Sequence, residues 1–155
     1  MTPGPSLLNA GRIAEMVEGR LTGSPETIIR GGRADSRLCR ADDLYVALPG
    51  ERTDGSLYIV SAWERGASVA LADRTKNLPR PPQGKSLIAV DNPLASLQVL
   101  AGSRRGDFPG LKIIGITGSN GKTTTKDILS SILSIWKGSR VLTTEGNFNS
   151  EIGLP

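Results

Sequence analysis

Histidine is absent from the 155 residues, and cysteine occurs once, as Cys39. The lack of histidine excludes histidine metal sites within this chain, and it excludes the Ser-His and Cys-His pairs that activate nucleophiles. A single cysteine excludes an internal disulfide and is typical of a reducing compartment. We interpret Cys39 as a small, partly buried apolar residue, because no histidine is present to activate its thiol.

Aromatic side chains and long apolar runs are also scarce. Aromatics make up 4% of the sequence against 37% for all apolar residues, so aliphatic side chains must fill the core. No run approaches the roughly 20 apolar residues of a membrane-spanning helix, and the N-terminus lacks the pattern of a signal segment. We therefore expect a cytoplasmic protein. The net charge of +4 is spread along the chain, which suits an anionic ligand but does not favour a nucleic-acid surface.

Apolar runs alternate with helical patterns through the first two thirds of the chain, which indicates an α/β layer architecture. The polar residues 32–37 have the composition of a turn, and their spacing alone is that of a solvated loop. We predict strands at 27–29, 44–48, 68–72 and 87–90, and helices at 7–21, 56–65 and 92–103.

The charged segment 104–110 closes with Pro109-Gly110 and predicts a domain boundary. Residues 1–108 are numerous enough to fold alone. Residues 109–155 contain one strand–loop–helix–strand unit, with strands at 113–116 and 141–144 and a helix that begins near Thr123 and ends at Gly138. This unit is too little for a parallel sheet covered on both faces. We interpret residues 109–155 as the start of a larger nucleotide-binding domain that is truncated at Pro155.

The most informative stretch is 113–125, where an apolar β-branched run leads through a glycine turn into a helical pattern. This is the arrangement of a phosphate-binding loop, although Ile116 stands where the generic pattern has glycine. Glycines let backbone N–H groups face an anion, and the start of a helix adds its positive dipole end. The alternative is a glycine turn that binds nothing, and Gly-Lys-Thr-Thr after a buried strand argues against it.

Within this loop, Lys122 can reach the β and γ phosphates, and the Thr123 hydroxyl can hold Mg²⁺. These two residues are the predicted catalytic groups, and Thr123 is the predicted metal ligand. The predicted phosphate-binding residues are Gly118, Ser119, Asn120, Gly121, Lys122, Thr123 and Thr124.

Three separated stretches resemble the Mur ligases, the ATP-dependent amide-forming enzymes of peptidoglycan precursor synthesis. Residues 35–37 followed by 43–55 look like the N-terminal substrate domain of the two later ligases of that pathway. Residues 115–124 look like the family's ATP loop, including the shifted glycine. Residues 146–155 are similar to the segment typical of the ligase that adds D-alanyl-D-alanine. The ordered trio is more specific than any one stretch.

The resemblance implies an ATP- and Mg²⁺-dependent ligase that joins UDP-N-acetylmuramoyl-tripeptide to D-alanyl-D-alanine. A peptide carboxylate attacks the γ-phosphate of ATP, which gives an acyl phosphate and ADP, and the amine then displaces phosphate. The resemblance further implies a UDP-substrate-binding domain over 1–108, an ATP-binding domain from 109 to 155, no nucleic-acid partner and a monomer at full length. The implied substrate-binding residues are Asp35, Ser36, Arg37, Asn147 and Asn149.

Two departures from the family pattern qualify this interpretation. Ser56-Leu57 follow the Asp-Gly of the first block, where many relatives have histidine or another polar residue. The family's modified lysine, later magnesium ligands and closing C-terminal domain would lie beyond Pro155, so we expect this chain alone to be inactive.

Two alternatives stay open. One is the preceding ligase, which adds the third peptide residue and tends to have a Thr-Thr pair where residues 147–150 stand. The other is a stand-alone module that binds a UDP-sugar or a nucleotide.

Overall fold

A computed structural model of the chain describes residues 8–50 and 53–143. The chain divides into two compact units, one that runs to Phe108 and one that begins at Pro109. The division falls inside the charged segment 104–110. Within the described ranges, no helix combines the length and the hydropathy that crossing a bilayer requires.

The described part of the first unit contains strands, three α-helices and two short 3₁₀ turns. The strands are β1 (Leu8–Asn9), β2 (Arg20–Thr22), β3 (Ile28–Ile29), β4 (Gly31–Arg33), β5 (Asp43–Val46), β6 (Val69–Asp73) and β7 (Ser86–Val90). The helices are α1 (Ala10–Met16), α2 (Ile59–Glu64) and α3 (Pro93–Gly106), and the 3₁₀ turns are Ser36–Leu38 and Gly55–Tyr58.

A five-stranded sheet in the order β2-β7-β6-β5-β4 organises this unit. Strands β4 to β7 run parallel to one another, and β2 pairs antiparallel with β7. The short strands β1 and β3 form a separate antiparallel pair. Because the four parallel strands occur in sequence order, the loops that leave their carboxyl ends lie side by side along one edge of the sheet.

Both faces of the sheet are covered, and they differ in side-chain size. Leu44 and Val46 point to the face covered by α1 and α3, among leucine, isoleucine and valine side chains. The opposite face carries Ala70 and Ala72 of β6 and Ala47 just beyond β5, and Trp63 of α2 packs there. Side chains alternate along a strand, so strands buried on both faces read as continuous apolar runs. The predicted α/β architecture is therefore confirmed, and the runs at 44–48, 68–72 and 87–90 form β5, β6 and β7.

The predicted helix over 7–21 is too long. α1 ends at Met16, and the chain turns at Glu18, whose φ of 51° is left-handed, while Gly19 N–H bonds the Ala14 carbonyl. A left-handed residue just beyond the last turn stops an α-helix. Residues 20–22 then form β2. The sequence also missed β4, which overlaps the start of the stretch 32–37 predicted to be a turn.

The second unit contains α4 (Lys122–Lys137) and a 3₁₀ turn at Gly138–Arg140. The strands predicted at 113–116 and 141–144 are not formed at 113–116 or at 141–143, and Thr144 lies outside the described residues. A strand exists only through hydrogen bonds to a neighbouring strand, whereas a helix satisfies its own backbone. None of the described strands pairs with residues 111–118.

Candidate functional site

The carboxyl edge of the parallel strands is the first candidate site. In open α/β sheets, ligands bind in the crevice outside the carboxyl ends of the strands. Directly beyond β4, the chain forms the 3₁₀ turn that begins at Ser36, with Asp35 as its capping residue. The structure therefore places the predicted residues 35–37 at this edge.

Asp35 and Arg37 form a close ion pair. Arg37 Nη2 lies 2.7 Å from Asp35 Oδ2, and the backbone N–H of Arg37 donates to Asp35 Oδ1 at 2.9 Å. The side-chain hydrogen bond from Arg37 holds the pKa of Asp35 below its usual value. The carboxylate is thus occupied by Arg37, while the guanidinium-bearing side chain is 80% exposed and open to a further partner. The structure thus brings Asp35 and Arg37 together: the Asp35 carboxylate is engaged by Arg37, and the Arg37 side chain is the one exposed to a ligand.

Ser36 and Cys39 form the buried side of the same turn. Ser36 is buried, and its carbonyl accepts from Cys39 N–H at 3.4 Å. The Cys39 thiol contacts the Asp35 carbonyl at 3.8 Å, and burial raises the pKa of the thiol to about 11. A thiol with so high a pKa stays protonated at neutral pH and is a poor nucleophile. Cys39 is therefore a buried structural residue, as the sequence predicted.

The loop after β5, called here the β5 loop, comprises the described residues 48–50 and 53–56. Its two ends meet where Pro49 and Asp54 form an isolated β-bridge, and Gly55 N–H donates to the Leu48 carbonyl at 3.0 Å. Tyr45 Oη, on the buried strand, donates to the Gly55 carbonyl at 2.9 Å. A Cβ at Gly55 would lie 2.6 Å from the Leu48 carbonyl oxygen, so only glycine fits there.

Asp54 connects this loop to the next one along the edge. Its Oδ1 accepts from Ser56 N–H at 2.9 Å, and its Oδ2 lies 2.8 Å from Lys76 Nζ, in the turn after β6. The bond from Lys76, aided by that from Ser56, lowers the pKa of Asp54 to about 2. Sequence reasoning missed this pair. Asp-Gly-Ser is a signal for an Asp-capped turn, but nothing in the sequence indicates Lys76 as its partner.

The second candidate site is the loop before α4. Gly118 and Gly121 have φ of 151° and 76°, values that favour glycine. Gly121 caps α4 without a side-chain hydrogen bond, and Lys122 is the first helical residue. Lys122 Nζ donates to the Gly118 carbonyl, which folds the side chain back over the loop. The ammonium group and the helix start therefore lie at the same short segment.

This arrangement suits an anion. The N–H groups of the first helical turn point away from the helix and carry the positive end of its dipole. The first turn of α4 contains no acidic side chain that would repel a phosphate or take its place. A Cβ at Gly121 would meet no atom within 4 Å, so the glycine is there for its backbone conformation and leaves the space beside the loop open.

The residues present also fit a magnesium ion bound together with phosphates. Mg²⁺ keeps several waters and takes few protein ligands when it is held by substrate phosphates. Thr123, one residue into α4, carries a hydroxyl that could fill that role. Within 8–50 and 53–143 there is no group of three or more carboxylate, cysteine or histidine side chains that could hold a metal alone. Asn147 and Asn149, also predicted for substrate, lie outside the described residues.

Two family descriptions match the chain. Residues 29–105 match the Mur ligase family, catalytic domain, and residues 116–155 match the Mur ligase middle domain. The UDP-N-acetylmuramoyl-tripeptide–D-alanyl-D-alanine ligase of Bacillus subtilis is 43% identical over 92% of this chain and 31% of its own length. The UDP-N-acetylmuramoyl-L-alanyl-D-glutamate–2,6-diaminopimelate ligase of Pseudomonas aeruginosa is 36% identical over 71% of the chain and 23% of its own length.

Solved structures agree with these matches. A crystal structure of MurF from Acinetobacter baumannii superposes with a TM-score of 0.75 and 30% identity, covering 97% of this chain and 32% of that one. MurF ligase from Thermotoga maritima, in complex with ADP, gives a TM-score of 0.63 and 39% identity over 81% of this chain and 28% of that one.

The chain spans about a third of the length of the Bacillus subtilis relative and of the Acinetobacter baumannii structure. The two matched families are the successive parts of one group of enzymes, and between them they cover about three quarters of the sequence. A solved structure of that group aligns with nearly the whole chain, at a TM-score well above that of a chance similarity. The chain belongs to the Mur ligase family.

Proposed function

We propose that the chain supplies the acceptor-binding domain and the ATP loop of a ligase that adds D-alanyl-D-alanine to UDP-N-acetylmuramoyl-tripeptide. The observation that carries the proposal is the pairing, in one chain, of a polar carboxyl edge with a glycine-lysine loop at a helix start. An amide-forming ligase that uses ATP requires one site for an anionic acceptor and one for the triphosphate of ATP.

The carboxyl edge suits the UDP end of the acceptor. Arg37 projects an exposed guanidinium that Asp35 holds in place, and arginine binds phosphate oxygens in a planar, two-pronged geometry. Ser36 sits in the same turn. We assign Asp35 to positioning Arg37, and Arg37 to contact with the substrate. Asn147 and Asn149 belong to the proposal through the family resemblance alone.

The loop of residues 118–124 suits the phosphates of ATP. Phosphoryl transfer is accelerated mainly by positioning and by neutralising charge on the transferred group. Lys122 and the N–H groups at the start of α4 supply that positive charge, and Thr123 supplies the hydroxyl for Mg²⁺. When bound, the ion would neutralise charge on the β and γ phosphates.

The reaction is the one that the family resemblance implies, and the two sites are consistent with it. The terminal carboxylate of the acceptor attacks the γ-phosphorus, the bond to the β-γ bridging oxygen breaks, and ADP leaves with an acyl phosphate formed. The amine of D-alanyl-D-alanine then attacks the acyl carbon and expels phosphate. Both steps place negative charge near the phosphate loop, where a preorganised cation lowers the barrier.

The second candidate function is the preceding ligase of the family, whose product is the tripeptide. It is favoured by the relative named as a 2,6-diaminopimelate ligase, and disfavoured because that match covers less of the chain at lower identity. A stand-alone binding module is a further alternative, and the Gly-Lys-Thr-Thr sequence at the start of α4 argues against it.

A substrate comparison tests the proposal. The protein is extended to the length of its relatives and incubated with ATP and either UDP-N-acetylmuramoyl-tripeptide plus D-alanyl-D-alanine or UDP-N-acetylmuramoyl-dipeptide plus a diamino acid. Mass spectrometry of the product and ADP release are measured together. We expect a product only from the tripeptide pair. A product from the dipeptide pair would establish the second candidate instead, and ADP release from neither would contradict both.

A further inference from the structure

Like Arg74–Asp91, which joins the residues that follow β6 and β7 at 2.9 Å, the Asp54–Lys76 pair links neighbouring loops at the carboxyl edge. Its two side chains come from the β5 loop and from the turn after β6, which leave neighbouring parallel strands. By contrast, Arg12–Glu15 and Arg104–Asp107 each join residues three apart in the same segment. The 2.8 Å bond of Asp54 to Lys76 therefore links two loops of the candidate acceptor site.

The Asp54 end of the pair is fixed to the backbone of its loop. One carboxylate oxygen accepts from Ser56 N–H, and the Asp54 backbone lies in the bridge to Pro49 that closes the loop. The next residue, Gly55, is bonded on one side to Leu48 and on the other to the hydroxyl of Tyr45. The position of the Asp54 carboxylate is therefore coupled, through these bonds, to the backbone of the β5 loop.

The Lys76 end is also anchored. Asp73, the last residue of β6, accepts at Oδ1 from both the N–H and the hydroxyl of Thr75, each at 2.8 Å. Lys76 N–H donates to the Asp73 carbonyl at 3.2 Å. Since the turn is held by these bonds, the lysine emerges from a defined position rather than from a freely moving segment.

An exposed ion pair ordinarily stabilises little, because ordering two long side chains costs entropy. Here only the lysine stem has to be ordered, since the Asp54 carboxylate is already held by Ser56. The consequence lies in the shape of the loop rather than in global stability. A loop held in its binding shape before the ligand arrives loses less entropy when the ligand binds.

We propose that Asp54 and Lys76 are positioning residues, which hold the β5 loop in the shape that receives the nucleotide end of a UDP-linked acceptor. The proposal rests on the proposed function for the identity of that ligand. Neither residue is required to touch the ligand. Removal of the Lys76 charge breaks the ion pair and lets the β5 loop move, and arginine at the same position restores the ion pair.

The test uses the full 155-residue chain and UDP as the probe. Lys76→Met removes the charge and keeps the stem, Lys76→Arg keeps the charge, and Arg12→Met removes a charge whose partner lies within α1. For each variant, UDP affinity is measured by calorimetry, and amide hydrogen exchange is measured at Gly55 and Ser56. We expect Lys76→Met to weaken UDP binding about threefold to tenfold and to speed exchange at Ser56. Lys76→Arg and Arg12→Met are expected to behave like the unaltered chain.

The two measurements separate this proposal from the one on which it rests. Unchanged amide exchange at Gly55 and Ser56 in Lys76→Met would overturn the positioning role, whatever the UDP affinity of that variant. Faster exchange with unchanged UDP affinity would overturn the link between the loop and the site. If the unaltered chain does not bind UDP, the proposed acceptor site is wrong, and the exchange data alone then decide whether the pair orders the loop.

Discussion

Residues 44–48 of the first unit and residues 113–116 of the second are similar apolar runs with different outcomes. The first run enters β5, which pairs with a parallel strand on each side, and Val46 in it is 1% exposed. The second forms no strand, and Ile113 is 61% exposed. An apolar run therefore becomes a strand only when another strand offers its hydrogen-bonding edge.

The helices of the two units, unlike these two apolar runs, both form. α3 and α4 both form, although α3 buries Leu100 against the sheet and α4 buries none of its residues. A helix closes its hydrogen bonds within its own segment, so its backbone does not need a neighbouring element as a strand does. The glycine loop at the start of α4 can consequently be described even though the strand before it is not formed.

The largest expected effect comes from removing a core side chain. Ile88 is fully buried in β7, whereas Ile132 of α4 is 58% exposed. We expect Ile88→Ala to lower the free energy of unfolding by about 2–5 kcal/mol, because it leaves a cavity. Ile132→Ala, the matched control, should change it by less than about 0.5 kcal/mol. Urea unfolding of both variants checks this, and equal losses would abolish the contrast between the units.

Two glycines sharpen the same contrast inside the first unit. A methyl group at Gly55 would press against the Leu48 backbone, whereas one at Gly102 in α3 would meet no atom within 4 Å. We expect Gly55→Ala to destabilise the chain by about 1–3 kcal/mol, and Gly102→Ala to stabilise it by about 0.5–1 kcal/mol. Thermal melting gives the signs. A stabilising Gly55→Ala would show that the β5 loop is not closed as described.

Helix capping provides a smaller test. Asn92 Oδ1 accepts from Ala95 N–H at 3.0 Å at the start of α3, while Gly121 at the start of α4 offers no side chain. We expect Asn92→Ala to cost about 1 kcal/mol and Asn92→Asp to cost much less, since aspartate is also a good cap. Urea unfolding of the two variants checks the difference. Equal losses from both would mean that the side-chain acceptor is not what stabilises this helix start.

The smallest effect concerns acid. The pKa of Asp54 is lowered from 3.8 to about 2, so its ionised form stabilises the folded chain above about pH 4. That contribution is lost as the pH falls towards 2, because the folded chain must then bind the proton as well. The side chain is 28% exposed, and we expect less than about 1 kcal/mol after screening. Asp54→Asn should flatten this part of the stability–pH curve, and an unaltered slope would contradict the assignment.

The sequence predicted those parts of the molecule that depend on local pattern. The runs that form β5, β6 and β7, the Asn92 start of α3 and the glycine end of α4 at Gly138 were all readable, because burial and capping have a local signature. The predicted start of α4 near Thr123 lies one residue from the observed start at Lys122.

What the sequence did not predict depends on contacts between distant residues. β4 escaped notice because Gly31–Arg33 have no apolar alternation and are strand only through pairing with β5. Lys76 could not be recognised as the partner of Asp54, since the tie forms only when β5 and β6 lie side by side. In the same way, residues 35–37 were named together, but the burial of Ser36 and the exposure of Arg37 required the structure.

The most direct test of the whole account is ATP affinity when Lys122 is replaced. In the protein extended to the length of its relatives, we expect Lys122→Ala to weaken ATP binding about tenfold or more, because a charge-assisted bond to phosphate contributes about 1.5–3 kcal/mol. Lys137→Ala, in the last turn of the same helix, should leave the affinity unchanged, and both variants should melt close to the unaltered protein. Unchanged ATP binding in Lys122→Ala would reduce residues 118–124 to a structural turn and contradict the ligase proposal.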